Sequence, residues 1–152
     1  MKRFFLTLLA VILVASVVTT CKTQKKQEFS KDIVFQGKSV EDYLRSGDRK
    51  LTARNYKAAL EDFDKAAEMD PFGADIYNYR GMAKLLLEDY AGALIDFNKT
   101  IELQPDYAEA YNLRGIVKGE LNDEVGACED WEKAFELGFR HAFQLLKKFC
   151  AD

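Results

Sequence analysis

Residues 74–107 read ADIYNYRGMAKLLLEDYAGALIDFNKTIELQPDY, and residues 108–141 read AEAYNLRGIVKGELNDEVGACEDWEKAFELGFRH. Laid one above the other, they match Tyr77 with Tyr111, Gly81 with Gly115, Ala93 with Ala127 and Asp96 with Asp130. Phe97 matches Trp131, Lys99 matches Lys133 and Glu102 matches Glu136. One further step of 34 residues toward the N-terminus finds Tyr43, Gly47, Ala59, Asp62, Phe63, Lys65 and Glu68 in the same register. Pro71 and Pro105 are also 34 apart. So many columns in one register mark a supersecondary unit repeated three times, over 40–73, 74–107 and 108–141.

Each unit carries two helical patterns. In the third, Ala110, Tyr111, Leu113, Ile116, Val117 and Leu121 mark the apolar face of a first helix. Ala127, Trp131, Ala134 and Phe135 fall at the spacing of one buried face on a second. Asn55, Asp89 and Asp123 stand at the break as N-caps. Ser39-x-x-Asp42 and Asp106-x-x-Glu109 have the form of capping boxes for first helices. The links are short, which forces the paired helices antiparallel. Gly47, Gly81 and Gly115 are expected to face Ala59, Ala93 and Ala127 where two helix backbones come close, with the aromatic column filling the space between them. Pro71 and Pro105 end second helices, because proline cannot continue the hydrogen-bond ladder.

The pattern resembles the tetratricopeptide repeat (TPR), which has the same length and places an aromatic, Gly, Ala, a second aromatic, Ala and Pro at set offsets. The resemblance covers residues 40–141. It implies an all-α fold of three stacked helix-turn-helix repeats, an α-solenoid. Residues 142–152, with Ala142, Leu145, Leu146, Phe149 and Cys150 on one stripe, are expected to form a capping helix with a polar outer face. Three departures stand out. Ser46, Arg80 and Arg114 take a place where the family often has Leu, and Lys50, Lys84 and Lys118 one where it often has Tyr. Phe139 replaces the proline of the third unit, so the stack is expected to turn or end there.

The resemblance also implies a concave groove lined by first helices. Carried over by column, its residues are Glu41, Leu44, Asp48 and Leu51, then Asp75, Asn78, Met82 and Leu85, then Glu109, Asn112, Ile116 and Glu120. Asn78 and Asn112 would hydrogen-bond a ligand backbone or stand simply solvated. Leu44, Met82, Leu85 and Ile116 would offer apolar pockets. No lysine occupies these columns to clamp a C-terminal carboxylate, so the expected ligand is an extended or helical polypeptide with apolar anchors.

Outward from the repeats, residues 1–20 have the form of a signal peptide: Met1-Lys2-Arg3, then FFLTLLAVILVASVV at 4–18. That run is short for a spanning helix, which needs about 20 apolar residues. Val18-Thr19-Thr20-Cys21 resembles a bacterial lipobox, departing from it at Thr20, and makes Cys21 the candidate lipidation site. A cleaved secretory signal or an uncleaved anchor are the alternatives. All three place the remainder outside the cytoplasm, as an outer-membrane-anchored or periplasmic protein. Residues 21–39 form a polar tether with a small apolar island, Ile33-Val34-Phe35.

Residues 1–39 carry seven Lys or Arg against two acids, and residues 40–152 carry fifteen against twenty-three. An acidic folded part argues against nucleic acid. The repeated Arg and Asp columns are expected to form a ladder, Arg80 reaching Asp62 or Asp96; the alternative is a cationic stripe for an acidic ligand. Cys128 and Cys150 lie on apolar faces of neighbouring helices and are either bonded or two small core residues. With His141 they fit no usual zinc spacing, and His141 is expected to cap a helix. No phosphate loop, H-E-x-x-H pair or G-x-S-x-G elbow occurs. The reading is a non-enzymatic scaffold of the cell envelope, without cofactor, metal or small-molecule substrate. The rival reading is an auxiliary docking subunit of a cell-wall or secretion enzyme.

Overall fold

The structure, a computed structural model, describes residues 37–150. The signal peptide, Cys21 and all of the tether before Gly37 lie outside the described residues. Among the described residues there are seven α-helices and no strand. They are α1 (Val40–Thr52), α2 (Tyr56–Met69), α3 (Ala74–Leu86), α4 (Tyr90–Leu103), α5 (Ala108–Glu120), α6 (Glu124–Glu136) and α7 (Ala142–Phe149).

One turn geometry is used three times. Arg54, Glu88 and Asn122 take left-handed backbone, with φ of 59°, 62° and 62°. After α1, the Arg54 N–H donates to Leu51 O (2.9 Å) and the Asn55 N–H to Lys50 O (2.8 Å), closing a Schellman motif. The residue that closes it is also the N-cap of the next helix. Only three residues therefore separate the partners of a pair, and the second helix must fold back on the first. Asp89 and Asp123 accept from the Gly92 and Gly126 N–H groups, each at 3.0 Å. Asn55 makes no such side-chain bond, contrary to the sequence reading. The difference lies three residues on: a Cβ at Gly92 or Gly126 would collide with the capping carboxylate, and Ala58 carries one.

The capping box at Ser39 forms as expected: Ser39 Oγ accepts from Asp42 N (3.2 Å) and Asp42 Oδ2 from Ser39 N (3.0 Å). The second expected box does not form. A turn closed by the Tyr107 N–H on Gln104 O (3.1 Å) sets the start of α5 at Ala108, with Asp106 one place too early to cap it. Second helices α2 and α4 end before Pro71 and Pro105 in extended C-caps at Asp70 and Gln104. The third ends differently. Gly138, at φ 93°, closes a Schellman motif with Phe139 N–H on Ala134 O (2.9 Å), so the missing proline is replaced by a glycine turn.

The interior is built at the crossing of each pair. An added Cβ on Gly47 would run into the Phe63 ring; one on Gly81 would lie 2.8 Å from Phe97 Cε1, and one on Gly115 2.7 Å from Trp131 Nε1. At each of these glycines the nearest obstacle is the aromatic ring, and at Gly115 Ala127 O also lies 3.1 Å away. Phe63, Phe97, Ala59 and Ala93 are wholly buried. Burial of each phenylalanine contributes about 1.5–3 kcal/mol. Phe63 also stacks on Tyr79 of the next repeat, centroids 5.6 Å apart.

The repeats follow in order: each second helix packs on the next first helix. First helices also touch the next first helix, α1 on α3 and α3 on α5, whereas no contact as extensive joins α2 to α4 or α4 to α6. The first helices therefore form the inner wall.

At the end of the stack α7 packs on α6. Ala142, Leu145, Leu146 and Cys150 join the Trp131 cluster. A disulfide joins Cys128 to Cys150, Cα atoms 5.8 Å apart, a cross-link worth about 2–4 kcal/mol. Two expectations need correction. His141 stands at the N-cap of α7 but makes no capping bond. The outer face of the cap is not uniformly polar: beside Lys147 and Lys148, Phe143 is 48% and Phe149 56% exposed. An eight-residue helix has too few turns to bury both rings against α6. Phe135, read as part of a buried face, is also largely exposed, against Phe143 (centroids 5.6 Å apart).

The crossing geometry makes a direct prediction. Gly81→Ala adds helix propensity of about 1 kcal/mol, yet the Phe97 ring it meets is enclosed and cannot move aside. We expect a net loss of about 1–2 kcal/mol in urea denaturation; a neutral or stabilised variant contradicts the packing described.

Candidate functional site

The candidate site is the inner wall of first helices, and its charge is decided by ion pairs behind it. Asp96 is 1% exposed at its side chain. Arg80 reaches it with two hydrogen bonds, Nε to Oδ2 (2.9 Å) and Nη2 to Oδ1 (2.6 Å), and Lys84 Nζ lies 2.7 Å from Oδ2. The third repeat copies this. Arg114 bonds Asp130 at 2.8 and 2.6 Å, and Lys118 Nζ is 2.9 Å away. In the first repeat Ser46 replaces the arginine, and Lys50 Nζ alone pairs with Asp62 at 2.6 Å. Burial pushes the Asp62 carboxyl up, but the polar surroundings led by the Lys50 ammonium outweigh it and hold it below the usual range.

The ladder expected from the columns therefore exists within each hairpin. Arg80 pairs with Asp96 and not with Asp62, because Asp96 is on the helix folded against its own. Each arginine has a second contact backward: Arg80 Nη1 to Asp64 Oδ1 (3.2 Å) and Arg114 Nη1 to Asn98 Oδ1 (2.7 Å). The guanidinium thus ties a hairpin together and ties it to the preceding one. Tyr77 and Tyr111 lie against the same guanidinium groups, at 5.2 and 5.3 Å.

The opposite face of these helices is the groove. Between α1 and α3 it opens into a cavity of about 320 Å³ lined by Glu41, Leu44, Arg45, Asp48, Asp75 and Tyr79. Leu44, Met82, Leu85 and Ile116 are half-buried, and Asp48 and Glu120 are exposed. Leu51, Asn78 and Asn112 are buried, at 8%, 1% and 8% exposure, so they form the floor. Asn78 Nδ2 donates to Glu109 Oε2 (3.1 Å), and the Tyr107 hydroxyl to Asp75 Oδ1 (2.7 Å). Glu109 is thereby fixed from the preceding repeat and Asp75 from the end of its own. Burial raises the Tyr79 phenol above its ordinary pKa, and Asp48, Asp75, Glu109 and Glu41 add to the rise. Burial and the bond to Asp75 raise Tyr107 further.

Column reasoning did not find Tyr79, Tyr107, Asp64 or Asn98. Tyr79 shares its column with Arg45 and Leu113, and Tyr107 with Gly73 and His141, so neither recurs. A second concavity, about 820 Å³, lies beside α7 and includes Val125, Phe143, Leu146, Phe149 and the disulfide. Among the described residues no group of His, Cys, Asp and Glu is placed to hold a metal ion.

No protein-family model matches the chain, and no curated protein matches it. Solved structures do. The first TPR of Spaghetti (RPAP3) bound to an HSP90 peptide superposes with a TM-score of 0.70 at 25% identity, covering 73% of this chain and 90% of that one. The TPR2B domain of yeast Sti1 in a pHsp70 complex gives 0.70 at 22%, covering 73% and 95%. MamA gives 0.68 at 24%, covering 81% and 77%. The chain has the all-α tetratricopeptide-repeat fold.

The ion pairs predict a structural role for Arg80. Arg80→Ala leaves the buried Asp96 with Lys84 alone and should cost about 3 kcal/mol, read as a lower midpoint of chemical denaturation. Unchanged stability would reverse the assignment and return the Arg column to ligand binding.

Proposed function

We propose that the chain is a protein-interaction scaffold of the cell envelope, anchored by lipid at Cys21 and binding an extended polypeptide along the inner wall of α1, α3 and α5. The observation that carries the reading is the half-buried row Leu44, Met82, Leu85 and Ile116 on helices held rigidly from behind. Such a row offers anchoring contacts without the entropy cost of ordering a loop. The peptide complexes of the RPAP3 and Sti1 domains support the same use of the fold. Fold alone does not choose a partner; the side chains of the groove do. Residues 22–39 would hold the stack away from the membrane, and the apolar run before Cys21 would serve export.

A second reading has its own support. Val125, Phe143 and Phe149 are exposed around the concavity beside α7, a surface suited to permanent docking on a larger subunit.

Met82→Lys with Ile116→Lys should remove the bound partner from material captured out of membranes, with helicity unchanged. A partner retained by that variant but lost in Phe143→Glu with Phe149→Glu would favour docking at the cap end. For the anchor, the mature N-terminus should have the mass of a diacyl- or triacyl-modified Cys21; a soluble product beginning after Ala15 or Ser16 contradicts it.

A further inference from the structure

We infer that the groove takes a polypeptide segment carrying Lys or Arg side chains. This rests on the groove reading above and gives its ligand a charge. Lys50, Arg80, Lys84, Arg114 and Lys118 are all drawn to the buried carboxylates of α2, α4 and α6. They neutralise Asp62, Asp96 and Asp130 and are turned away from the inner wall, leaving Arg45 and Arg49 as the other cations of the first helices.

What remains on that wall is acidic. Arg45 is the one cation lining the cavity, and it pairs with Glu41 at 3.6 Å. Arg49 is not among the lining residues; its Nε donates to Arg45 O (3.4 Å). Among the described residues no cation lies within 4.0 Å of Asp48, Asp75 or Glu109. A concave, partly apolar surface focuses such a field.

Two further observations make this more than a row of acids. Asp75 and Glu109 do not swing freely; Tyr107 and Asn78 each bond one oxygen and leave the other to accept. The floor beneath is also rich in acceptors. Oδ1 of Asn78 and Oδ1 of Asn112 are buried and have no hydrogen-bond partner among the described residues, a state that ordinarily costs stability. The wall therefore offers acceptors at both levels, with Arg45 the one cation lining its cavity. Lysine and arginine supply donors and positive charge together, while their methylene stems lie on Leu44 and Met82. A segment with carboxylates would meet repulsion here.

The test uses the full chain in detergent and short fluorescent peptides of one spacing: Lys alternating with Leu and Ser, the same with Gln for Lys, and the same with Glu for Lys. Anisotropy should show the Lys peptide binding about tenfold or more tighter than the Gln peptide, with the Glu peptide not bound. Its affinity should fall as NaCl is raised. Asp48→Asn, Asp75→Asn and Glu109→Gln together should remove most of the Lys preference and leave the Gln peptide unchanged. Should that triple variant melt early, Asp48→Lys alone serves, since the Asp48 side chain makes no hydrogen bond or ion pair among the described residues. Equal binding of the Lys and Gln peptides, or no binding of the Lys peptide, overturns the inference. If the two bind equally and Met82→Lys with Ile116→Lys abolishes both, the groove reading stands without its charge. Lys-peptide binding indifferent to every groove substitution overturns both.

Discussion

A carboxylate removed from water must be given a cation, and three such carboxylates organise this molecule. Asp62, Asp96 and Asp130 sit on second helices, facing first helices that carry the cations paired with them among the described residues. Taking a lone charge into the interior costs several kcal/mol, so Arg and Lys are held inward. That single demand fixes the facing of each pair. Through Asp64 and Asn98 it also fixes the step from one hairpin to the next. The same demand turns Lys50, Arg80, Lys84, Arg114 and Lys118 away from the inner wall and leaves Arg45 as the one cation lining its cavity. Structural pairing on one side of a helix thus sets the chemistry available on the other.

The apolar part of the architecture follows a parallel logic. Phe63, Phe97 and Trp131 fill the room left by Gly47, Gly81 and Gly115, so neither member of a column can change without the other. The Schellman turns at Arg54, Glu88 and Asn122 bring the helices to that crossing with three residues to spare. No hairpin closes its interior alone: Phe63 stacks on Tyr79, and Ala83 joins the cluster built on Leu51, Ala59 and Phe63. The last unit, with no fourth repeat to cover it, relies on α7 and the Cys128–Cys150 bond.

Recurrence made the fold legible. Seven columns in one register were enough to place helix pairs and turns, because those constraints are met three times over; the Asp–Arg relation, met only twice, was left open between Asp62 and Asp96. Where a feature occurs once, recurrence is silent. Tyr107 and Tyr79 hold and sense the groove carboxylates, and neither has a counterpart in another unit. Left-handed backbone at Arg54 and Glu88 carries no glycine to announce it. Asn78 and Asn112 fall on groove columns, but whether such a residue reaches a ligand or forms the floor depends on how closely successive first helices approach. That distance is set by the aromatic columns behind them. The exposed Phe149 ring of α7 was misread because an amphipathic stripe shows which residues can be buried and not how much partner surface exists to cover them.

The account stands on the inner wall being the surface that meets another protein. A photo-crosslinking amino acid at Leu44, on that wall, and at Ile95, 67% exposed on a second helix, would test this in intact membranes. We predict an adduct from position 44 and none from 95. An adduct from 95 alone would put the binding surface on the outside of the stack and contradict the account.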